Sequence, residues 1–335
     1  MTESVDQQFI RFADLLEKNP AYVPTKHHMP PMWDLTRVPG GLSRTLAGVI
    51  TVAHIPTMNW GPKDPEAQVV EGTPLVEVDA NGAFVAAATS ATFGHCAPEH
   101  TGPLDLSKGQ IPGGYMLVDA HPWQLGCPGS PLGRNRPKLT ADGRTWVPHT
   151  VYALLRDLHH GNPAWTKGGH WPDSTVYDSW TADVVRFEKW SGAVRDTRAA
   201  AKITGDAAHG ERIKVAYSQA VQMWSTAPDP KGTPREQRKK VSKSYRPDWY
   251  AGLRGQHFAN MFRRAYMCAQ LGRPPLRVWD TDRMLFEEKH LLALLGREEK
   301  PFPMQLDETG VQLGTFKRMP RANGATRWYA GIEDV

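Results

Sequence analysis

Two apolar segments, LVEVDANGAF (residues 75–84) and LRVWDTDRMLF (residues 276–286), decide the fold of this 335-residue chain. Each contains a short strand pattern that ends in aspartate: Asp79 ends the first strand, and Asp280 and Asp282 follow the second. Because residues i and i+2 of a strand face the same way, Asp280 and Asp282 are expected to share one face. An aspartate at a strand end is usually a turn or cap residue, so the carboxylates alone do not assign a function.

The rest of the sequence alternates between helix and strand patterns. Helical periodicity predicts an amphipathic helix near the N-terminus, an Ala-rich helix after the first strand, and two long helices that form an antiparallel hairpin. The predicted helices are 7–18, one from about 82, 149–160, 176–202, 211–224 and about 249–271; the predicted strands are 46–52, 75–79, 113–120, two within 276–286, 311–318 and 327–332. This order of elements predicts an α+β fold.

The composition is that of an ordinary globular protein. Hydrophobic residues make up 40% and charged residues 22% of the chain, and no apolar run approaches the roughly 20 residues that a membrane span needs. The net charge of +5 permits binding to a polyanion without requiring it. Scattered cysteines and the lack of a signal-peptide pattern predict a cytoplasmic protein, nucleoid-associated or in the host cytoplasm if viral.

One group of histidine and cysteine residues offers potential zinc ligands. His95, Cys96 and His100, with Cys127 downstream, lack the paired spacing of roughly two to four residues that structural zinc sites use. We interpret them as ordinary packing or surface residues.

Carboxylates at the ends of two adjacent strands suit nucleotidyl transfer. This reaction uses two divalent cations about 3.5–4 Å apart, which stabilise the attacking and leaving oxygens. Mg²⁺ in such sites binds a few carboxylates together with substrate phosphates. Asp79 and Asp282 are the carboxylates that the sequence offers for this chemistry.

Four motifs resemble those of family B DNA polymerases, and most closely those of the protein-primed branch. Residues 79–84 (DANGAF) resemble motif A, D-x-N-S-L-Y, and residues 279–282 (WDTD) resemble motif C, Y-x-D-T-D-S. Residues 214–218 (KVAYS) resemble the opening of motif B, K-x-x-x-N-S-x-Y-G. The fourth match joins two C-terminal segments, residues 313–317 (LGTFK) and 327–329 (RWY), which together resemble the family's L-G-x-x-K strand and K-x-Y motif. The motifs stand in the family's order, with the helical hairpin between A and B.

This resemblance covers about residues 70–332 and implies a polymerase-type palm. The palm would have an antiparallel sheet and an inserted helical hairpin as its fingers, with no evident thumb or exonuclease domain. The implied division is 1–70 for an N-terminal helix and wrapping extension, 71–150 for the palm with motif A, 151–248 for the fingers-like insertion and a basic loop, and 249–335 for the palm with motif C and the C-terminal strands.

The resemblance also implies a role for individual residues at the metal centre. Asp79 and Asp282 would bind two Mg²⁺ (or Mn²⁺) ions, and the carbonyl of Ala80 would complete one coordination shell. Asp280 would lie beside the primer terminus.

Other residues would bind the nucleotide and the DNA. Lys214 and Lys202 would neutralise the incoming triphosphate, and Tyr217 would stack on the nascent base pair. Phe84 stands where the family has a tyrosine that excludes a ribose 2′-OH. The residues expected at the primer or the DNA are Arg327, Tyr329, Lys317, Lys239, Lys240 and Lys243, of which the last three belong to the basic stretch 231–246.

The chain departs from the family pattern at several of these positions. Gly82 replaces the serine of motif A, and Arg283 replaces the serine after D-T-D. Arg327 replaces the lysine of K-x-Y. Ser218, Val221 and Gln222 stand where motif B has asparagine, tyrosine and glycine. The three changes in motif B alter the side chains that the family places beside the nascent base pair.

The favoured function is that of a minimal, template-directed DNA polymerase-like nucleotidyltransferase. Its expected partners are primer–template DNA, deoxynucleoside triphosphates, and a terminal or accessory protein that supplies the primer or the thumb, with no membrane partner. One alternative is a catalytically degenerate palm that binds nucleic acid as a replication accessory protein. A second alternative is a metal-dependent nuclease, which would use the carboxylates but not Lys214, Lys202 or the aromatic gate.

Overall fold

The computed structural model describes residues 49–50, 53–61, 69–70, 72–95, 98–126, 128–225, 246–279, 282–296, 304–309, 311–312 and 314–319. The predicted helix 7–18, the predicted strand 327–332 and part of the predicted site lie outside these residues. The site residues concerned are Asp280, Lys239, Lys240, Lys243, Arg327 and Tyr329.

The named elements follow one another as a mixture of strands and helices. In chain order they are β1 (Leu75–Ala80), α1 (Ala83–Ser90), β2 (Thr92–Gly94), β3 (Glu99–His100), β4 (Gly113–Asp119), β5 (Arg144–Pro148), α2 (His149–His160), β6 (Asp178–Ala182), β7 (Val184–Arg186), α3 (Glu188–Ile203), α4 (Ala207–Ser225), α5 (Pro247–Gln270), β8 (Arg277–Trp279), β9 (Arg283–Glu287), α6 (Glu288–Leu295) and β10 (Phe316–Arg318). The predicted α+β class is confirmed. None of the helices among the described residues is both long and apolar enough to cross a membrane.

The first sheet contains the strands of the two aspartate-bearing segments, 75–84 and 276–286. Its strands lie in the order β10-β1-β9-β8, and every neighbouring pair is antiparallel. Val76, Val78 and Ala80 of β1 pack into the main hydrophobic core. Because side chains alternate along a strand, Glu77 and Asp79 lie on the opposite face. The pattern of the sequence therefore places Asp79 away from the core, in an inner strand of the sheet.

A second sheet has the strand order β3-β6-β4-β5, and β2 pairs with β7 alone. The strands β6 and β7 correct the prediction of one continuous helix over 176–202. Trp180 of β6 pairs across the sheet with Tyr115, and Val185 of β7 pairs with Phe93. These β-branched and aromatic residues favour a pleated, half-buried surface over a helix. The helix begins only at Glu188.

Two other predicted strands were wrong in whole or in part. The described residues of the predicted strand 46–52, Val49 and Ile50, are helical. The predicted strand 311–318 is reduced to Phe316–Arg318, because the residues before it form turns closed by Asp307. Here local hydrogen bonds from an aspartate side chain to backbone N–H groups compete with the sheet.

The helices cover the sheets and position the predicted hairpin. α5 is buried along most of its length and packs against α1 and α2. Helices α3 and α4 form the predicted hairpin, joined by residues 204–206. Its aromatic core contains Trp190 and Trp224, which are fully buried together with Phe93 and Trp249. This second core fixes the hairpin to α1 and α5.

A buried ion pair anchors the beginning of α5. Arg246 donates from Nε and Nη2 to the two carboxylate oxygens of Asp248, at 2.9 and 2.7 Å, and from Nη2 to the carbonyl of Gly94 at 2.7 Å. Trp249 Nε1 donates to the same carbonyl at 2.8 Å. Arg246 is the last residue of the basic stretch 231–246, but its side chain is only 2% exposed and is therefore not available to DNA.

Removing the anion of this pair should destabilise the fold. We expect Asp248→Ala to lower the free energy of unfolding by about 3–5 kcal/mol, because it leaves a buried guanidinium without its counter-charge. Denaturant unfolding followed by circular dichroism measures the change. Asp196→Ala removes the anion of an exposed pair (Arg195 Nε to Asp196 Oδ1, 2.7 Å) and should change stability by no more than about 0.5 kcal/mol. Equal effects of the two substitutions would contradict this account.

Candidate active site

Asp79 lies between two cationic side chains on neighbouring strands. In the register of the sheet it pairs with Arg283 of β9 on one side and with Lys317 of β10 on the other. Lys317 Nζ lies 3.2 Å from Asp79 Oδ2, and Arg283 Nε lies 3.6 Å from Asp79 Oδ1. Opposite charges at directly facing positions stabilise a sheet. The Asp79 side chain is only 16% exposed, so these two cations compensate much of its burial.

Asp282, the residue before β9, lies against β1. The N–H of Ala80 donates to the carbonyl of Asp282 at 2.8 Å. Asp79, Ala80 and Asp282 all line one cleft of about 740 Å³. Both aspartates therefore line the side of the cleft that the first sheet forms, which is its floor.

The turn after β1 fixes the start of α1 above this floor. Asn81 donates from its N–H to the carbonyl of Thr315 at 2.8 Å and from Nδ2 to Thr315 Oγ1 at 3.1 Å. Gly82 has φ 56° and ψ 45°, a left-handed conformation that strains a residue with a side chain. This conformation accounts for glycine at a position where the resembling motif has serine.

The helical hairpin supplies the opposite, basic wall of the cleft. Lys202 comes from α3 and Lys214 from α4. Lys202 Nζ donates to the carbonyl of Thr309 at 3.2 Å, and Lys214 Nζ lies 3.6 Å from Glu211 Oε1 with most of its side chain exposed. Burial lowers the pKa of Lys202, and the nearby charges of Arg198 and Lys317 lower it further. Bound anionic groups would relieve this repulsion between cations.

Arg198 is a cleft residue that the sequence analysis missed. It lies one helical turn before Lys202, and its Nη1 is buried without a hydrogen-bond partner within the described part of the chain. Burial lowers the pKa of its guanidinium. The i, i+4 spacing of Arg198 and Lys202 on one helix face was the signal that could have identified it.

Aromatic residues line the cleft between its floor and its basic wall. Tyr217 is 7% exposed, and burial raises the pKa of its phenol, to which the charges of Asp282 and Asp79 also contribute. Phe84 projects from the first turn of α1 and lines the same cleft. The ring of His257 lies 5.0 Å from that of Phe84 and supports it from the protein interior.

The structure thus brings together eight of the predicted site residues. They are Asp79, Ala80, Phe84, Lys202, Lys214, Tyr217, Asp282 and Lys317. Overall, five cationic and four anionic side chains line the cleft. Carboxylates and cationic side chains in one cleft suit a substrate that carries both a bound metal ion and several phosphates.

The donor atoms on the floor fit Mg²⁺ or Mn²⁺. Asp79 and Asp282 offer carboxylate oxygens, and Ala80 offers a backbone carbonyl. Mg²⁺ is typically bound by one or two carboxylates together with substrate phosphates and water, so a complete cage of protein ligands is not needed. For such an ion to bind, Lys317 and Arg283 would have to break their ion pairs with Asp79 or share its carboxylate oxygens with the ion.

Comparison with known proteins shows a distant similarity of fold. Neither a protein-family model nor a curated protein sequence matches this chain. Among solved structures, phi29 DNA polymerase complexed with single-stranded DNA has a TM-score of 0.50 and 13% identity, over 86% of this chain and 48% of that chain. An orthorhombic crystal form of phi29 DNA polymerase has a TM-score of 0.48 and 12% identity, over 82% and 48% of the two chains. The chain therefore spans about half the length of these polymerase structures.

The burial of His257 makes a pH-dependent contribution to stability that can be measured. Burial, with the nearby charge of Arg254, lowers the pKa of His257 from 6.5 to about 4. Between pH 6.5 and 4 the unfolded chain takes up a proton at this residue and the folded chain does not. The contribution of His257 to the free energy of unfolding is therefore fully present above pH 6.5. It is lost as the pH falls toward 4, and the loss is about 3 kcal/mol at 1.36 kcal/mol per pKa unit.

Urea unfolding between pH 7 and 4 tests this contribution. His257→Gln removes the titrating group and should lose less stability on acidification than the unmodified protein. His95→Gln changes an exposed histidine and should retain the full dependence. If the His257→Gln and unmodified proteins lose stability in parallel, the assigned burial of His257 is wrong.

Proposed function

We propose that this chain is a polymerase-type nucleotidyltransferase that joins deoxynucleotides to a primer hydroxyl under the direction of a DNA template. The observation that carries the proposal is that two aspartates, Asp79 and Asp282, and two lysines, Lys202 and Lys214, line one cleft. The fold similarity to a DNA polymerase supports it, and so does the order of the four motifs. Together they favour a relationship to family B polymerases.

In this proposal the two strands with aspartate form a palm and the helical hairpin forms the fingers. The palm comprises residues 71–150 and 249–335, and the fingers with the basic loop comprise 151–248. Lys202 and Lys214 lie on separate helices of the hairpin, so a movement of the hairpin would bring both toward the floor. Such closure would place the triphosphate between the basic wall and the carboxylates.

Each cleft residue then has a distinct task in binding and orienting the substrate. Lys202, Lys214 and Arg198 bind the phosphates of the incoming nucleotide through charge-assisted hydrogen bonds. Phe84 lies under its sugar, where an aromatic ring excludes a 2′-hydroxyl, and Tyr217 packs beside the nascent base pair. Lys317 is released from Asp79 and contacts the DNA backbone near the primer terminus.

Asp79, Asp282 and the carbonyl of Ala80 would hold two divalent ions, with Asp280 beside the primer terminus. When bound, such ions stabilise the charge on the attacking and leaving oxygens. The chain holds the two aspartates close together, because Asp79 pairs with Arg283 at the start of β9 and the Ala80 N–H donates to the carbonyl of Asp282.

One observation favours a second candidate, a non-catalytic DNA-binding protein built on the same fold. Both carboxylate oxygens of Asp79 are engaged by cations, and one of these, Arg283, replaces a serine of the resembling motif. A permanent ion pair would occupy the position that a metal ion needs. In that case the basic wall and the cations of the stretch 231–246 other than the buried Arg246 would bind DNA in a salt-dependent manner without nucleotide addition.

Primer extension distinguishes these two functions. Purified protein with Mg²⁺ or Mn²⁺, primer–template DNA and labelled deoxynucleotides should incorporate label, with DNA-primed and protein-primed substrates tested side by side. Asp282→Asn should lower incorporation by at least about 100-fold, because it removes a charge aimed at the reacting groups. Asp183→Asn alters an exposed aspartate outside the cleft and should leave incorporation unchanged. Salt-sensitive DNA binding without any incorporation would favour the non-catalytic candidate.

Reversing the charge of Lys214 distinguishes polymerisation from nuclease activity. Lys214→Glu should reduce incorporation by about 100-fold and raise the KM for the nucleotide, since it places an anion where the triphosphate binds. Arg212→Glu makes the same charge change on an exposed residue of α4 that does not line the cleft, and it should have little effect. Metal-dependent DNA cleavage that survives Lys214→Glu, without incorporation in the unmodified protein, would indicate a nuclease.

A further inference from the structure

Three potential metal ligands meet beside the second sheet, away from the cleft that contains Asp79. Asp119 ends β4, His121 follows it two residues later, and Asp173 lies in the connection between α2 and β6. One ligand atom from each of the three residues lies within 4.8 Å of the other two. None of the three lines the cleft that contains Asp79 and Asp282.

One imidazole nitrogen of His121 lacks a hydrogen-bond partner among the described residues. Its Nε2 is buried and has no hydrogen-bond partner within the described part of the chain. Its ring meets the edge of Trp171 at 5.4 Å between centroids, and Trp171 is only 1% exposed, so the ring is held in place. A buried polar atom without a partner is costly and needs an explanation. A bound ion supplies one.

The two carboxylates are already oriented by other side chains. Tyr177 donates its hydroxyl to Asp119 Oδ2 at 2.7 Å and lies 3.4 Å from Asp173 Oδ2. Asp173 Oδ1 accepts hydrogen bonds from the N–H and Oγ1 of Thr175, at 2.9 and 2.8 Å. Carboxylates that bind metal ions are commonly held by hydrogen bonds of this kind.

The local charge is not balanced by the protein. Among the described residues, Asp119 has one cationic neighbour, Arg144, whose Nε lies 3.4 Å from Asp119 Oδ1. This guanidinium is shared with Asp142 and stacks over the Tyr177 ring. Asp173 makes no ion pair among the described residues. Two like charges this close repel each other, and a cation between them would remove the repulsion.

We propose that Asp119, His121 and Asp173 form a binding site for one divalent transition-metal ion, Zn²⁺ or Mn²⁺. Two carboxylate oxygens and one imidazole nitrogen suit these ions, whereas Mg²⁺ and Ca²⁺ prefer oxygen ligands alone. Three protein ligands leave further coordination positions for water. The ion joins the segment after β4 to the segment before β6, and its role does not depend on the proposed nucleotidyl transfer.

Metal content of the full-length chain tests the site directly. The double variant Asp79→Asn/Asp282→Asn removes the carboxylates of the cleft, so that an ion bound there is not counted. After equilibrium dialysis against micromolar Zn²⁺ or Mn²⁺, this variant should retain one ion per chain by mass spectrometry. Adding His121→Ala or Asp173→Asn should abolish retention, and adding Tyr177→Phe should weaken the affinity about 10-fold, since that residue only orients ligands.

His100 provides the matched control. It also pairs with an aspartate, Asp178, at 2.7 Å, but these two residues belong to no group of three ligands among the described residues. His100→Ala should therefore keep the ion. Retention of the ion after His121→Ala, or no retention by the double variant, would overturn the proposal.

A spectroscopic measurement avoids dependence on the folding of the ligand variants. Co²⁺ added to the folded double variant should give visible d–d absorption that one equivalent of Zn²⁺ displaces. The melting temperature of the same protein should rise with Zn²⁺ concentration, because an ion that binds only the folded state stabilises it. Absence of both the absorption and the shift would equally overturn the proposal.

Discussion

The ion pairs of Asp79 with Lys317 and Arg283 are the constraint on which the rest of the site depends. A carboxylate that is 16% exposed in an inner strand needs compensation for lost hydration. Cross-strand cations at 3.2 and 3.6 Å provide it, and they fix the register in which β9 and β10 flank β1. This register in turn brings Asp282 against Ala80. A metal ion that enters the cleft must compete with these two cations for Asp79, and a triphosphate must compete with Asp79 for the two cations.

The parts of the fold that follow from short-range patterns could be predicted from the sequence. The alternation of apolar residues in 75–80 places Asp79 away from the core, and the periodicity of 149–160 gives α2 with its bounds unchanged. The two helices of the hairpin and the strand pair around 280–282 were also predicted, because local propensity and the final packing agree there. The candidate site residues came from the resemblance of short motifs to a known family, and eight of them line one cleft.

What the sequence did not reveal depends on long-range partners. Residues 178–186 have enough helical character to be mistaken for a helix, and only pairing with β4 and β2 makes them strands. In the sequence, Arg246 is one more cation of a basic stretch. In the structure its side chain is buried and donates hydrogen bonds to Asp248 and to the Gly94 carbonyl. Arg198 becomes a cleft residue only when the hairpin packs against α1. The meeting of His121 with Asp173 likewise depends on two loops that are far apart in sequence.

Anomalous diffraction from crystals grown with Mn²⁺ and a deoxynucleoside triphosphate tests the central claim most directly. The claim is that Asp79 and Asp282 form the metal-binding floor of a nucleotide cleft. It predicts manganese peaks in the cleft, about 2.0–2.3 Å from carboxylate oxygens of both residues, with the triphosphate against Lys202 and Lys214 and the ion pair between Lys317 and Asp79 opened. A cleft without manganese, in which Asp79 remains paired with Lys317 and Arg283, would contradict it.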